Sequence, residues 1–137
     1  MPESQANVAA TLVFSKVYKS YGDHAVLEDV NFTIDPGEFV LLGGASGSGK
    51  TTLLRMILAQ ERPDHGRISV AGRVVHRLTD NSLPYFRRNI GVVFQDLMLL
   101  PDQSVAQNVQ LAVEIQGAPR REVKARACMA LELVGLG

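Results

Sequence analysis

The chain has 137 residues, 46% of them hydrophobic and 20% charged, which is the composition of about one globular domain and excludes a disordered tail. Its 14 lysines and arginines equal its 14 aspartates and glutamates, so we expect no nucleic-acid partner, and any anion site must be local. The single cysteine excludes an internal disulfide, and the sequence has neither a secretory signal nor a run of 18 apolar residues.

The first predicted elements are two extended segments on either side of the turn YGDHA. Residues 1–9 are predicted to be a loose polar leader, and residues 10–137 to form one domain. Apolar side chains occur at Leu12, Phe14 and Val17 in the first segment, and in the second Val30, Phe32 and Ile34 alternate with two polar residues. A period of two predicts strands with one exposed face, so we expect a small antiparallel sheet.

Two later segments are apolar without alternation, which is typical of strands buried on both faces of a parallel sheet. They run from Phe39 to Leu42 and from Ile90 to Gln95. Leucines and isoleucines at helical spacing follow the first of them, which predicts a helix directly after a glycine-rich loop. Buried strands that alternate with helices predict a domain of the α/β class.

The remaining predicted elements are recognised by the residues at their ends. RISVAG is a predicted strand closed by Gly72, and NSLPYFRRN is a predicted helical turn whose arginine pair, Arg87 and Arg88, we interpret as a solvated helix face. Ser104 is the predicted cap of a helix that ends near Gly117. A last helix is predicted between a proline at its first turn and a glycine after its end.

The strongest motif is the loop GASGSGKTT, which contains the pattern G-x-x-x-x-G-K-[ST] with an apolar run before it and a helical pattern after it. Glycines let the backbone fold around an anion, so that successive N–H groups and the helix N-terminus point at phosphate oxygens. Lys50 is then expected to reach the β and γ phosphates, and the Thr51 hydroxyl to coordinate Mg²⁺. The predicted ATP-binding residues of this loop are Gly44, Ser46, Gly47, Ser48, Gly49, Lys50, Thr51 and Thr52.

Residues 12–136 resemble the ATP-binding subunits of ABC transporters, because several motifs occur in the order of that family. GASGSGKTT is similar to its Walker A motif, Tyr21 in YKSYG to its A-loop aromatic, and Gln95 in IGVVFQD to its Q-loop glutamine. The resemblance implies that Tyr21 stacks on adenine. It also implies that Gln95 approaches Mg²⁺ and the attacking water, which makes Lys50 and Gln95 the predicted catalytic residues.

Within the family, the segment from His76 to Val109 looks most like the cell-division ATP-binding proteins of the FtsE type. That likeness implies an integral membrane partner of the FtsX type, a homodimer of full-length ATP-binding subunits, and a cytoplasmic location on the inner face of the membrane. Relatives that drive lipoprotein release or macrolide export share much of the pattern and stay open as alternatives. The resemblance also implies that the family's helical subdomain begins after Gln95, so that Leu97 to Pro101 could face the partner's coupling helix, with packing in the core as the competing use of Met98, Leu99 and Leu100.

The family's signature loop, its Walker B aspartate with the adjacent glutamate, and its switch histidine all follow the region in which this sequence ends. We therefore expect a fragment of a longer ATPase, with impaired folding and negligible turnover alone, since phosphoryl transfer depends on positioned charges. One alternative is a nucleotide-binding module that does not hydrolyse. A small kinase is another, and Tyr21 and Gln95 count against it.

Overall fold

A computed structural model describes residues 11–137, and the predicted leader at residues 1–9 lies outside the described residues. The chain divides into two compact units, one that ends at Arg87 and one that runs from Arg88 to Gly137. The first unit contains the glycine-rich loop, and the second contains Gln95.

The first unit is built on an antiparallel sheet in which the strands follow the order β2-β1-β3-β4. The strands are β1 Leu12–Tyr21, β2 His24–Ile34, β3 His65–Val70 and β4 Arg73–Val74. β1 and β2 form a hairpin around Gly22, which adopts the left-handed conformation that a tight turn requires (φ 58°). The small antiparallel sheet predicted from the alternating pattern is therefore present.

One face of this sheet carries the core of the first unit. Phe14 lies opposite Phe32 on β2 and opposite Ile68 on β3, and the rings of Phe14 and Phe32 stack with their centroids 4.6 Å apart. Val17, Ile68 and Met56 are fully buried. The period of two that predicted the strands thus reflects the burial of one face, as in other half-covered sheets.

β1 is irregular in its middle, where its pairing with both neighbours shifts register. Lys16 and Asp29 have positive φ values of 49° and 46°, and the Asn31 side chain joins them. The Asn31 Oδ1 accepts from the Lys16 N–H at 2.7 Å, and its Nδ2 donates to the Asp29 carbonyl at 2.7 Å. These bonds offset the local loss of the ladder at a bulge.

Two helices complete the first unit, α1 Lys50–Ile57 and α2 Leu83–Arg87, with one 3₁₀ turn at Val75–Arg77. The Arg87 guanidinium donates to the carbonyls of Leu58 and Ala59, at 2.9 and 3.0 Å, just after α1. Arg87 is exposed, as the interpretation of a solvated helix face expected, and it also binds the end of α1, because a helix end exposes carbonyls that favour a cationic donor.

The second unit contains α3 Val105–Ile115 and α4 Arg120–Leu133, which pack against each other. Ser104 caps α3 in a capping box: its hydroxyl accepts from the Gln107 N–H, and the Gln107 side chain accepts from the Ser104 N–H. The cap predicted at Ser104 is confirmed. On α4 the buried residues recur at helical spacing, at Val123, Ala127 and Leu131. No helix within residues 11–137 has the length and apolar character needed to cross a bilayer.

The two predicted buried strands, Phe39 to Leu42 and Ile90 to Gln95, do not form, and both predictions were wrong. Neither segment belongs to the sheet of the first unit, and Phe39 and Val93 are 87% and 91% exposed. A strand in a parallel sheet requires hydrogen-bonded neighbours and cover on both faces, and the described residues supply neither to these two segments. Met98, Leu99 and Leu100 are also exposed, which excludes their packing in a core of the described chain.

Candidate functional site

The glycine-rich loop folds around the side chain of Lys50, the first residue of α1. The Lys50 ammonium donates to the carbonyls of Gly44 and Ala45, at 2.7 and 2.5 Å, and to the Ser48 Oγ at 3.3 Å. All three acceptors belong to the loop itself. The positive charge predicted to meet phosphate therefore lies inside the concave side of the loop.

Two glycines of the loop occupy positions that other residues would fill or strain. A Cβ at Gly44 would lie 2.6 Å from the Ser48 Oγ, so a side chain here would displace a hydroxyl that accepts from Lys50. Gly47 has a φ of 80°, in the left-handed region that favours glycine. The resulting concavity is a cavity of about 250 Å³, lined by Val26, Ser46, Gly47, Gly49, Lys50, Thr51 and Thr52.

Gly49 fixes the start of α1 against β2. It is buried, has a φ of 86°, and is the N-cap of the helix. A Cβ here would lie 2.9 Å from the Leu27 Cδ2 and 3.1 Å from the Val26 carbonyl oxygen. Only glycine permits both this conformation and this approach, so the loop motif also sets the contact between helix and sheet.

The N-terminus of α1 suits an anion for two further reasons. The Leu53 N–H donates to the Gly49 carbonyl at 2.9 Å, so the N–H groups of the preceding first turn have no partner within the helix. That first turn carries no acidic residue. The unpaired donors and the positive end of the helix dipole therefore face the loop without a competing carboxylate.

The hydroxyls of the two threonines differ in their surroundings. Thr51 is exposed and lines the cavity, whereas Thr52 is buried at 8% exposure. Mg²⁺ prefers hard oxygen ligands and is usually held by one or two protein oxygens together with phosphates. The hydroxyl of Thr51, which lines the same cavity as Lys50, fits that description, so the residues present are compatible with the predicted ion.

Tyr21 lies at the end of β1, where it pairs with His24 across the hairpin, and its side chain is 44% exposed. It does not line the cavity, but Val26, on the next strand of the same hairpin, does. The sequence did not single out Val26, because an aliphatic residue in a strand has no phosphate-binding pattern. The stacking of Tyr21 on adenine stays a prediction.

Gln95 belongs to the second unit and is exposed in a segment without regular structure. The residues that line the cavity all belong to the first unit. The structure thus brings together the predicted loop residues from Ser46 to Thr52 around Lys50, and it leaves the assignment of Gln95 to the same site as a prediction.

A glycine loop that enfolds a lysine at the N-terminus of a helix defines this chain as a P-loop protein. The family can also be stated. The sequence pattern of the ABC transporter family matches residues 27–137, most of the chain, and the chain therefore belongs to that family.

Individual relatives agree with this membership. The chain is 42% identical over 124 residues to the cell division ATP-binding protein FtsE of Escherichia coli (strain K12), covering 90% of this chain and 56% of the relative. It is 40% identical over 122 residues to FtsE of Bacillus subtilis (strain 168), covering 88% and 54%. The predicted resemblance is confirmed, and the chain spans about half the length of these curated relatives.

The fold of the chain also matches solved cassettes. It superposes with a TM-score of 0.76 and 32% identity on the dimeric ATP-binding cassette MJ0796, whose structure shows a post-hydrolysis state bound to ADP and Pi. The match covers 88% of this chain and 56% of that one. The predicted fold class, α/β of the ABC ATPase type with a small antiparallel sheet and helices, is confirmed.

Proposed function

We propose that the first unit binds ATP·Mg²⁺ with its phosphates in the loop from Gly44 to Thr52. The observation that carries this proposal is the Lys50 ammonium, held on the concave side of the loop by the Gly44 and Ala45 carbonyls. Carbonyl oxygens and phosphate oxygens compete for the same donor, and a phosphate oxygen carries more negative charge. Bound phosphate would therefore take over hydrogen bonds that the loop now makes to its own lysine.

Each remaining residue has a role that its position supports. Backbone N–H groups of the loop and of the first turn of α1 would donate to the phosphate oxygens, and Lys50 would neutralise the β and γ phosphates. The Thr51 hydroxyl would hold Mg²⁺, which would neutralise negative charge on the phosphates. Tyr21 would stack on the adenine, and its half-exposed ring leaves surface for that contact.

We also propose that this unit belongs to an ATPase subunit that acts in cell division with an integral membrane partner of the FtsX type. The similarity to FtsE in two bacteria supports this role. The dimeric cassette that the fold resembles supports a homodimer of complete subunits. The subunit would lie on the cytoplasmic face of the membrane through its partner, and Gln95 would orient the attacking water.

A fusion tests the hydrolytic part of this proposal. The chain would be joined at Gly137 to the C-terminal part of the E. coli FtsE that follows the matched region, and phosphate release from ATP·Mg²⁺ would be measured. We expect the fusion to release phosphate, and Gln95→Ala to slow release by roughly 10- to 100-fold, because the water loses a positioning group.

Gln116→Ala in the same fusion is the matched control, because Gln116 is an exposed glutamine at the end of α3. Its rate should equal that of the unchanged fusion. A fusion that binds ATP and releases no phosphate would contradict the ATPase proposal and favour a binding module. Equal rates for Gln95→Ala and Gln116→Ala would remove Gln95 from the mechanism.

A further inference from the structure

Lys19 is the centre of an ion-pair cluster that joins β1 to the segment after α1. Its ammonium lies 2.9 Å from the Glu61 Oε1 and 3.3 Å from the Asp64 Oδ1, and it donates to the Arg62 carbonyl at 3.0 Å. The Lys19 side chain is only 11% exposed. A lysine with so little exposed side chain and three acceptors for its ammonium holds one position, unlike the usual mobile surface lysine.

Asp64 extends the cluster to the backbone on both sides of Lys19. Its Oδ2 accepts from the Ser20 N–H at 2.7 Å, and its own N–H donates to the Tyr18 carbonyl at 2.9 Å. These two bonds fix the last residues of β1 directly before Tyr21. Asp64, which follows α1 in the sequence, therefore sets the path of the backbone into Tyr21.

The same ammonium lies 5.3 Å from the centroid of the Tyr21 ring, within the range of a cation–π contact. The hydrogen bond from Lys19 is the largest cause that lowers the pKa of Glu61. The hydrogen bond to Glu61 raises the pKa of Lys19 in turn. Both groups thus stay charged at neutral pH, and Glu61 holds the ammonium that lies near the ring.

We propose that Lys19 and Glu61 are positioning residues for Tyr21, which hold its ring ready to stack on the base of a nucleotide bound at the P-loop. This inference rests on the proposed function. Glu61 lies shortly after the end of α1, and α1 begins with Lys50, the residue proposed to neutralise the phosphates. The cluster therefore links the base-binding ring to the helix that binds the phosphates. An ion pair that only stabilised the hairpin would affect phosphate and base recognition alike, and this difference makes the proposal testable.

Calorimetric titration with two probes separates these roles. ATP·Mg²⁺ offers phosphates and a base, whereas inorganic tripolyphosphate with Mg²⁺ offers phosphates alone. We expect Lys19→Met to weaken ATP binding by about 5-fold or more, because the ring loses its support, and to leave tripolyphosphate binding within about 2-fold of the original. Glu61→Gln should also weaken ATP binding more than tripolyphosphate binding. Because this variant keeps the Lys19 ammonium, it tests the proposal even if Lys19→Met does not fold.

A double-mutant cycle with Tyr21→Ala shows whether the effect passes through the ring. If it does, Lys19→Met should add nothing to the loss that Tyr21→Ala causes alone. Arg126→Gln is the matched control, because it removes an ion pair of 2.6 Å with Glu122 on α4, in the other unit. It should change neither affinity.

Three results would overturn the proposal: equal losses for ATP and tripolyphosphate in Glu61→Gln and in any folded Lys19→Met, no loss for either probe, or losses that add to that of Tyr21→Ala. Failure of the proposed function itself looks different, because the unchanged chain would then bind neither probe, or Lys50→Ala would leave both affinities intact.

Discussion

Lys50→Ala is expected to weaken the binding of ATP·Mg²⁺ to the 137-residue chain by about 10- to 100-fold. The substitution removes the ammonium that the loop places on its concave side, where it is held by the Gly44 and Ala45 carbonyls. Charge-assisted hydrogen bonds to phosphate account for a loss of that size. Isothermal titration calorimetry in the presence of Mg²⁺ measures the change directly.

The control for this prediction is Lys124→Ala, which makes the same change of charge at an exposed position of α4. Its affinity for ATP should match that of the unchanged chain. Lys50 also donates hydrogen bonds to the loop, so its loss could destabilise the chain. Thermal unfolding of Lys50→Ala therefore has to be measured in parallel. A folded Lys50→Ala variant with affinity within 2-fold of the original would contradict the assignment of the loop.

The second large effect is expected on folding, at Gly66. Gly66→Ala should lower the free energy of unfolding by on the order of 3 kcal/mol, because two costs combine. Gly66 has a φ of 90°, and an added Cβ would collide with the backbone carbonyl of Lys16 and lie 2.7 Å from the Ser15 oxygen. Gly66 and Lys16 lie at the register shift between two paired positions, Ser15 with Arg67 and Tyr18 with His65, so their backbone cannot move aside without disturbing the pairing of β1 with β3.

Gly72→Ala is the matched control, because Gly72 also has a positive φ, 75°, but an added Cβ there meets no atom within 4 Å. It carries only the conformational cost, about 1 kcal/mol. Urea unfolding of both variants, followed by circular dichroism, compares the two losses. If Gly66→Ala lost no more stability than Gly72→Ala, the close approach of Gly66 to the backbone of β1 would contribute nothing to the loss.

Features that depend on local chemistry were predictable from the sequence. The left-handed glycines of the loop, the helix that starts at Lys50 and the capping box at Ser104 all follow from residues a few positions apart. The hairpin of β1 and β2 was also predictable, since alternation reports burial of one face. Motif order further sufficed to predict the family.

Features that depend on distant partners were not predictable. Phe39 to Leu42 has the composition of a buried strand, but composition cannot say whether a neighbouring strand is available, and none pairs with it among the described residues. Arg87 at the end of α1 and the Lys19–Glu61 pair join residues 29 and 42 positions apart in the sequence. No periodicity or local spacing connects such positions, so only the fold shows them.

Nuclear magnetic resonance of the labelled 137-residue chain, titrated with ATP·Mg²⁺, tests the central claim most directly, because it reports which residues meet the nucleotide. We predict that the largest amide shifts occur from Ser46 to Thr52, with matching shifts in the ring signals of Tyr21. Shifts that are absent from the loop, or that cluster away from it at saturating nucleotide, would contradict the claim that this loop holds the phosphates.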